Sequence, residues 1–424
     1  MTIGIGLGIF RPLYYSPDLL FRWRAGWAGG SFSRSSSAWY VGPDGRIYQT
    51  AANAPRVEWY DLDGDGVRET PTALLEPAAT NLLLDSCNLP ASGSAWGGES
   101  NFSVSPATSI FAGQTAWRHQ NLGLAGSVSR NQNIGTFTGQ PETGSAIVEN
   151  VDATETALNI RDNTAMVNLC IGRLTWATGQ ASVQGGAGTV LALKLANAGP
   201  NGGPVYRLIV TATGTPGNSG SIFLYPSGTS QNTRTVIVHH VQHEVGAVAT
   251  SPIVTTTAAV TRSADALSFP LPASLSRPVP MTLYLRFVER GAAFEQAFQG
   301  DIVEIGSTAR PLLQVDNAND TGTYRVLYTT AVGVDSFSDA PVAVAVGDVV
   351  ELAAVLTAAG AARIRIARNG GAEQAGPDGT ARGLGAAPWP VQTLGLAVRN
   401  QSPLDVIELK VATGEHTIAD IRSM

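Results

Sequence analysis

The feature that most constrains the fold is the alternation of short, strand-like runs with turn-forming residues. Between residues 87 and 250, runs such as 145–151, 190–195 and 205–212 are separated by turn clusters such as 198–203, without helical periodicity. Glycine (47 of 424 residues) and proline (24) are frequent, and only 14% of the residues are charged. Short strands at near-regular spacing are typical of β-sandwiches. The sequence therefore predicts an all-β protein of serial β-sandwich domains.

The C-terminal part of the chain shows the same pattern and ends on a short helix signal. Thr417 can cap a helix, with Asp420 at the fourth position of a capping box in place of the usual glutamate. The sequence predicts strands over 281–290, 312–316, 323–330, 348–357, 362–369, 393–398 and 406–411.

Residues 31–86 carry the most specific motif. Turn signals at 43–45 and 63–66 interrupt their strand-like runs, and the segment ends on Leu-Leu-Glu-Pro and Thr-Asn-Leu-Leu-Leu. This order resembles a module of bacteriophage virion proteins, chiefly tail fibres and other appendages. The residues that carry the resemblance are 34–41, 44–45, 52–56 and 74–83.

A second segment, residues 241–265, resembles the part of the same phage family that closes its sandwich domain. The resemblance implies that the preceding region is a jelly roll similar to carbohydrate-binding modules. Residues 266–424, with an Asn-Gly turn near 370, resemble concanavalin-A-like or laminin-G-like lectin domains. The predicted organisation is an N-terminal arm (1–30), a hairpin module (31–86), a jelly roll (87–262) and a lectin-like sandwich (263–424).

The first thirty residues differ from the rest of the chain. Branched residues alternate there with glycine, and an aromatic and arginine-rich cluster follows. As a strand, this segment has one branched face and one bare backbone face, which suits packing against another chain. We interpret it as an arm that docks on a neighbouring virion subunit, and the alternative is a terminal strand of the first domain. The docking residues are predicted to be Ile3, Ile5, Leu7, Ile9, Trp23 and Trp27.

One acidic turn has the spacing of a calcium loop. Asp61, Asp63, Asp65 and Glu69 place carboxylates at alternating positions, as oxygen ligands of a hard cation require. An EF-hand would have a bidentate glutamate at the twelfth position, where this chain has Thr72. The alternatives are a calcium ion that stiffens the hairpin and a metal-free, glycine-rich turn. No other cofactor is expected.

Aromatic rings are candidates for sugar stacking, because a ring face matches the C–H face of a pyranose. Trp389, between two prolines, is expected to be the most exposed and is the candidate glycan contact. The other candidates are more often core residues in sandwiches: Trp96, Trp117, Trp176 and Tyr206.

Histidine and cysteine give weaker signals. His239, His240 and His243 form a cluster without an evident third or fourth zinc ligand, so a structural role is favoured. Cys87 and Cys170 have no metal-binding spacing and are expected to be buried free thiols, with a disulfide between them as the alternative.

Charge and motifs argue against several function classes. The net charge of −6 argues against a nucleic-acid partner, and no apolar run reaches the roughly 20 residues of a membrane span. No signal peptide is visible, and no Gly-x-Ser-x-Gly motif is present. A glycan hydrolase with acid and base among Glu289, Glu295 and Glu304 is the enzymatic alternative, and the sequence predicts a non-enzyme.

The function predicted on this basis is that of a structural phage virion protein. It would be a fibre or spike subunit that docks on other virion proteins by its N-terminus and presents its sandwiches to host-surface glycans. The resemblance implies a homotrimer on the tail or capsid surface. The alternatives are a capsid head-fibre or decoration protein, a polysaccharide depolymerase and a bacterial extracellular lectin.

Overall fold

The computed structural model describes residues 19–22, 30–63, 65, 67–90, 95–98, 101–123, 128–228, 233–290, 301–305, 310, 312–317, 322–390, 393–399 and 403–424. Nearly all regular structure in these residues is antiparallel β-sheet, which confirms the predicted all-β fold.

The front segment contains seven short strands that belong to several different sheets. Turns with glycine at positive φ, such as Gly45, separate some of them. The strands are β1 (Leu19–Arg22), β2 (Ser31–Ser33), β3 (Ala38–Val41), β4 (Ile47–Thr50), β5 (Arg56–Tyr60), β6 (Thr70–Leu75) and β7 (Ala79–Asn81).

The middle of the chain forms a sandwich of two six-stranded sheets, in the orders β16-β17-β12-β19-β10-β9 and β15-β14-β13-β18-β11-β8. Inward side chains of both sheets, such as Ala146, Leu158, Leu208 and Leu224, form one buried core. The strands are β8 (Gly97–Gly98), β9 (Phe102–Thr108), β10 (Thr115–Asn121), β11 (Arg130–Thr136), β12 (Pro141–Asn150), β13 (Glu155–Asp162), β14 (Val167–Thr175), β15 (Gln180–Gly186), β16 (Thr189–Ala196), β17 (Val205–Thr213), β18 (Ser219–Tyr225) and β19 (Thr235–Val245).

The C-terminal part forms a second sandwich with its own core. A capping box at Thr417 and Asp420 starts the short helix α1 (Ile418–Arg422), as predicted. The strands are β20 (Val260–Arg262), β21 (Ala266–Pro270), β22 (Met281–Glu289), β23 (Asp301–Ile305), β24 (Leu312–Asn317), β25 (Tyr324–Thr329), β26 (Asp335–Asp339), β27 (Val349–Leu356), β28 (Ala362–Arg368), β29 (Gln374–Ala375), β30 (Thr393–Arg399) and β31 (Leu404–Thr413).

The front segment is built into the C-terminal sandwich as well as lying against the middle one. β5 and β6 extend one C-terminal sheet, in the order β29-β28-β27-β22-β31-β6-β5, and β1 pairs with the same edge of β31. β2 pairs with β21 at the edge of the other sheet, in the order β2-β21-β30-β23-β24-β25-β26. The described part of the predicted arm, Leu19–Arg22, is therefore paired within the chain.

The β3–β4 hairpin lies on the outer face of the middle sandwich instead. Trp39, Val41 and Ile47 pack there with Phe111 and Ile147 in a small separate core. The front segment thus contacts both sandwiches, and it positions the candidate sites at their junction.

Candidate functional site

A buried network of charged side chains joins the front segment to both sandwiches. Arg56, on β5, is fully buried, and its Nη1 donates to Glu76 (2.6 Å) and to the Ser251 hydroxyl (2.5 Å). Its Nη2 donates to Asp265, which also accepts a hydrogen bond from Arg34 (2.9 Å). These residues come from four separate parts of the chain, so the network ties its distant segments together.

The electrostatics of this network favour the ionised carboxylates. Burial disfavours ionisation of Glu76, but Arg56, Arg262 and Arg290 hold the pKa of Glu76 well below its usual value. Arg262 also donates to the Pro77 carbonyl (2.7 Å) and so fixes the chain just after Glu76. Several motif residues that carry the phage resemblance, among them Arg34, Arg56 and Glu76, therefore lie in a buried network that connects separate segments of the chain.

Next to this network, β5 presents two faces of different character. Arg56 and Glu58 point to the buried side, whereas Val57 and Trp59 point to the surface, as the two-residue period of a strand requires. Burial raises the pKa of Glu58 to about 7, although the nearby Arg290 guanidinium (3.7 Å) favours the ionised form.

The outer face of β5 and the β3–β4 hairpin together form an aromatic platform, which we define as Tyr40, Tyr48 and Trp59. Tyr40 and Tyr48 are cross-strand partners with ring centroids 6.1 Å apart, and all three side chains are half-buried. The platform borders a shallow pocket of about 470 Å³, completed by Val57 and by the turn at Asp44.

The turn after β3 holds the platform in place. The Tyr48 hydroxyl donates to Asp44 Oδ2 (2.6 Å), and this hydrogen bond raises the pKa of Tyr48. The second oxygen of Asp44 accepts from the Arg46 amide (3.0 Å). A side chain at Gly42 would lie 2.7 Å from the Tyr48 ring, so this glycine leaves room for the ring over the backbone.

This platform was not predicted from the sequence, although the sequence contains a pattern that indicates it. In β3 and β4, apolar residues directed to the sandwich alternate with tyrosines, and Trp59 follows the same period on β5. The sequence does not show that the β3–β4 hairpin lies beside β5, and this placement brings the three rings together.

The acidic turn brings the four predicted calcium ligands close together. Asp61, Asp63, Asp65 and Glu69 each offer an oxygen atom, and these atoms all lie within 4.8 Å of one another. Asp63 accepts from the Asp65 amide (3.2 Å), and Asp65 accepts from the Val67 amide (2.7 Å). Calcium binding at this turn stays a prediction.

The three clustered histidines are buried and bind separate partners. His239 Nε2 lies 3.2 Å from Glu149, and His243 Nε2 lies 2.8 Å from Glu142. His240 Nε2 lies 3.3 Å from a backbone carbonyl. Among the described residues they belong to no group of three or more close metal ligands, and their structural role stays a prediction.

The structure corrects the prediction made for Trp389. It is 2% exposed and lies in the core of the C-terminal sandwich, so the prediction of an exposed, sugar-stacking ring is wrong. Its backbone amide donates to the Ser276 carbonyl (3.1 Å), which draws the Pro-Trp-Pro segment onto the sandwich. The other aromatic candidates pack in or against the core of the middle sandwich, as expected of core residues: Trp96, Trp117, Trp176 and Tyr206.

Glu289 and Glu304, two of the candidate acid and base residues of a glycan hydrolase, do not line the same cleft. Glu289, on β22, is buried, accepts a hydrogen bond from the Tyr324 hydroxyl and lines the space between the sandwiches. Glu304, on β23 in the opposite sheet, is also buried and is not among the residues that line this space. Glu295 lies outside the described residues.

Three further observations complete the survey of predicted sites. Cys87 and Cys170 are buried free thiols, as expected. In the described part of the chain, no helix is long and apolar enough to cross a membrane. The predicted virion-docking residues lie outside the described residues: Ile3, Ile5, Leu7, Ile9, Trp23 and Trp27.

No protein-family model matches the chain, and no curated protein matches it.

Proposed function

We propose that this chain is a structural, non-enzymatic phage virion protein, a fibre or spike subunit that binds host-surface glycans through the aromatic platform. The phage-like segments at 31–86 and 241–265 support the virion assignment. The single observation that carries the glycan assignment is the platform itself: three half-buried rings beside the Asp44 carboxylate, around one shallow pocket.

The chemistry of the platform suits a sugar. Tyr40, Tyr48 and Trp59 offer apolar ring faces to the C–H face of a pyranose, and the polar tips of the tyrosines stay in reach of its hydroxyls. Asp44 adds a carboxylate that accepts hydrogen bonds from hydroxyl groups. Such a shallow surface fits one or two sugar rings at the end of a chain or along it.

A glycan array followed by calorimetry tests the proposal. Replacing Trp59 with alanine removes a ring face, and we expect the affinity for the array's best ligand to fall about tenfold. Phe337→Ala is the matched control, because this ring is 54% exposed and lies on β26, in a different sheet from β5. We expect the control to bind like the wild type.

Three results would contradict the proposal. Binding to no glycan at any density would remove the adhesive function, and an unchanged affinity of Trp59→Ala would remove the platform. Release of reducing sugar from host polysaccharide would support the depolymerase instead.

The position on the particle is a separate part of the proposal. A label on the protein, imaged on the intact particle, distinguishes a tail fibre or spike from a capsid head fibre or decoration protein. Deletion of residues 1–18 leaves β1 in place and tests the docking arm: we expect a folded subunit that no longer enters particles. Light scattering of the purified protein tests the proposed homotrimer.

Calcium binding at the acidic turn belongs to the same proposal. The close approach of the four carboxylates suits a cation that binds oxygen at about 2.3–2.6 Å. The ion would stiffen the loop between β5 and β6, directly after Trp59, and take no part in chemistry.

A further inference from the structure

A cleft of about 1100 Å³ lies between the middle sandwich and the C-terminal sandwich. Its floor is the outer face of the sheet that contains β16 and β17, and aliphatic side chains are frequent on this floor, whereas the facing side also carries charged residues such as Glu58, Glu289 and Arg290. The aliphatic lining includes Leu191, Leu193 and Ile209 from the middle sandwich and Val288 and Val346 from the C-terminal one. The floor of the cleft thus offers an apolar surface.

Arg207 is a buried cation on the cleft floor without a counter-ion among the described residues. Arg207, on β17, is 4% exposed, and its Nη2 donates to the Ser145 hydroxyl (2.8 Å). Among the described residues, no carboxylate lies within 4.0 Å of Arg207, and its buried Nε has no hydrogen-bond partner. Burial lowers the pKa of Arg207 to about 10, although Glu244 favours the charged form from beyond ion-pair distance.

Two other buried arginines at the junction differ from Arg207 because they have carboxylate partners. Arg56 binds Glu76 and Asp265, and Arg290, on the facing side of the cleft, binds Asp405 (3.0 Å). A buried guanidinium without a carboxylate loses hydration and gains little in return, which is unfavourable unless an anion reaches it. Lys194 and Arg68 also line the cleft, but Lys194 is exposed and Arg68 donates to two backbone carbonyls. In the part of the chain that the structure describes, Arg207 is therefore the buried cation of the aliphatic floor that lacks a carboxylate partner.

We infer that this cleft binds a small amphiphile that carries a single carboxylate on an aliphatic body, with the carboxylate at Arg207. The guanidinium fork matches a carboxylate in a bidentate arrangement, and Ser145 orients the fork. The hydrocarbon lies along Leu191, Leu193 and Ile209 on the floor. Of the three platform residues, only Tyr40 also lines the cleft, whose floor is aliphatic, so this ligand class is distinct from the proposed glycan.

Titration calorimetry of the full chain with decanoate, and with decanol as its neutral counterpart, tests the inference. We expect decanoate to bind the wild type at least about tenfold more tightly than decanol, because charge-assisted hydrogen bonds form only with the acid. Arg207→Gln removes the charge and keeps hydrogen-bonding capacity, so we expect it to lose this preference. Arg207→Lys keeps the charge without the fork and should fall between the two.

A second variant guards against misfolding of the Arg207 variants. Val346 is exposed on the rim of the cleft, and Val346→Asp should repel decanoate without disturbing a core. Phe337→Ala, on an exposed strand away from the cleft lining, should bind decanoate like the wild type. Thermal unfolding of each variant checks that it is folded.

Several results would overturn the inference. These are no binding of decanoate to the wild type, equal binding of decanoate and decanol, or an unchanged affinity in a folded Arg207→Gln or Val346→Asp variant. Binding of an extended acidic peptide with no binding of decanoate would also overturn it, in favour of a peptide occupant along the edge strand β16. The glycan array does not involve this cleft, so the two proposals fail separately.

Discussion

Replacing Arg56 with methionine is the most direct test of the buried network. Methionine keeps an apolar stem of similar length but removes the closer of the two arginines that Glu76 and Asp265 share, the other being Arg262. All three side chains are fully buried, so water cannot take the place of the guanidinium without opening the junction.

The expected loss of stability in Arg56→Met follows from the burial of the ion pair. Removing one partner of a buried ion pair costs about 3–5 kcal/mol, because an uncompensated buried charge remains. The Ser251 hydroxyl and Arg262 remain beside Glu76, which keeps the loss within this range. The matched control is Arg363→Met, whose partner Asp378 is exposed, and an exposed pair contributes about 1 kcal/mol or less.

Urea denaturation at neutral pH, followed by fluorescence, measures both variants. We expect Arg56→Met to unfold at clearly lower urea than the wild type and Arg363→Met to stay close to it. A double variant with Glu76→Gln should lose less than the sum of the two single changes, because the stranded charge is gone.

The pH dependence gives an independent check with a definite sign. The pKa of Glu76 is lowered in the folded state, so its contribution to stability is present above the unfolded pKa and is lost as the pH falls. The difference in the free energy of unfolding between the wild type and Arg56→Met should therefore become smaller below about pH 4. A gap that widens on acidification, or an Arg56→Met variant as stable as Arg363→Met, would refute the reasoning.

Three further predictions follow from single sites. Burial lowers the pKa of His119 to about 3, so the folded protein keeps this side chain neutral. Below about pH 6.5 the unfolded chain takes up a proton there that the folded protein does not, so the free energy of unfolding falls with the pH. His119→Phe should make this fall less steep by about 1 kcal/mol per pH unit in acid denaturation. Calcium titration by calorimetry should show binding that Asp63→Asn removes, and a heat signal that the variant retains would contradict the acidic site. Burial raises the pKa of the Cys87 thiol to about 12, so Cys87 and Cys170 should react with a thiol reagent only after unfolding. Rapid labelling of the native protein would contradict their burial.

Local pattern was enough to predict most elements of this fold. The alternation of apolar residues predicts strands over 190–195 and 362–369, and the structure has Thr189–Ala196 and Ala362–Arg368 there. The capping box at Thr417 was also predictable, because it needs only residues three positions apart. Such features depend on neighbours in the chain, which the sequence displays directly.

Trp389 shows where local reasoning fails. Its two flanking prolines are typical of an exposed loop, yet its ring lies in the core of the C-terminal sandwich. A loop that packs over the open end of a sandwich buries a large ring, and neither composition nor periodicity reports that packing.

By itself, the sequence determined the all-β class, the strands and the turns, because these depend on residues that are close along the chain. Only the tertiary structure decided which strands become neighbours. It placed β6 beside β31 at the edge of the C-terminal sheet, brought Arg56 to Asp265 across 209 positions, and set Trp59 beside Tyr40 and Tyr48. Such contacts depend on long-range pairing, for which the sequence carries no local signal, and the candidate sites are made of them.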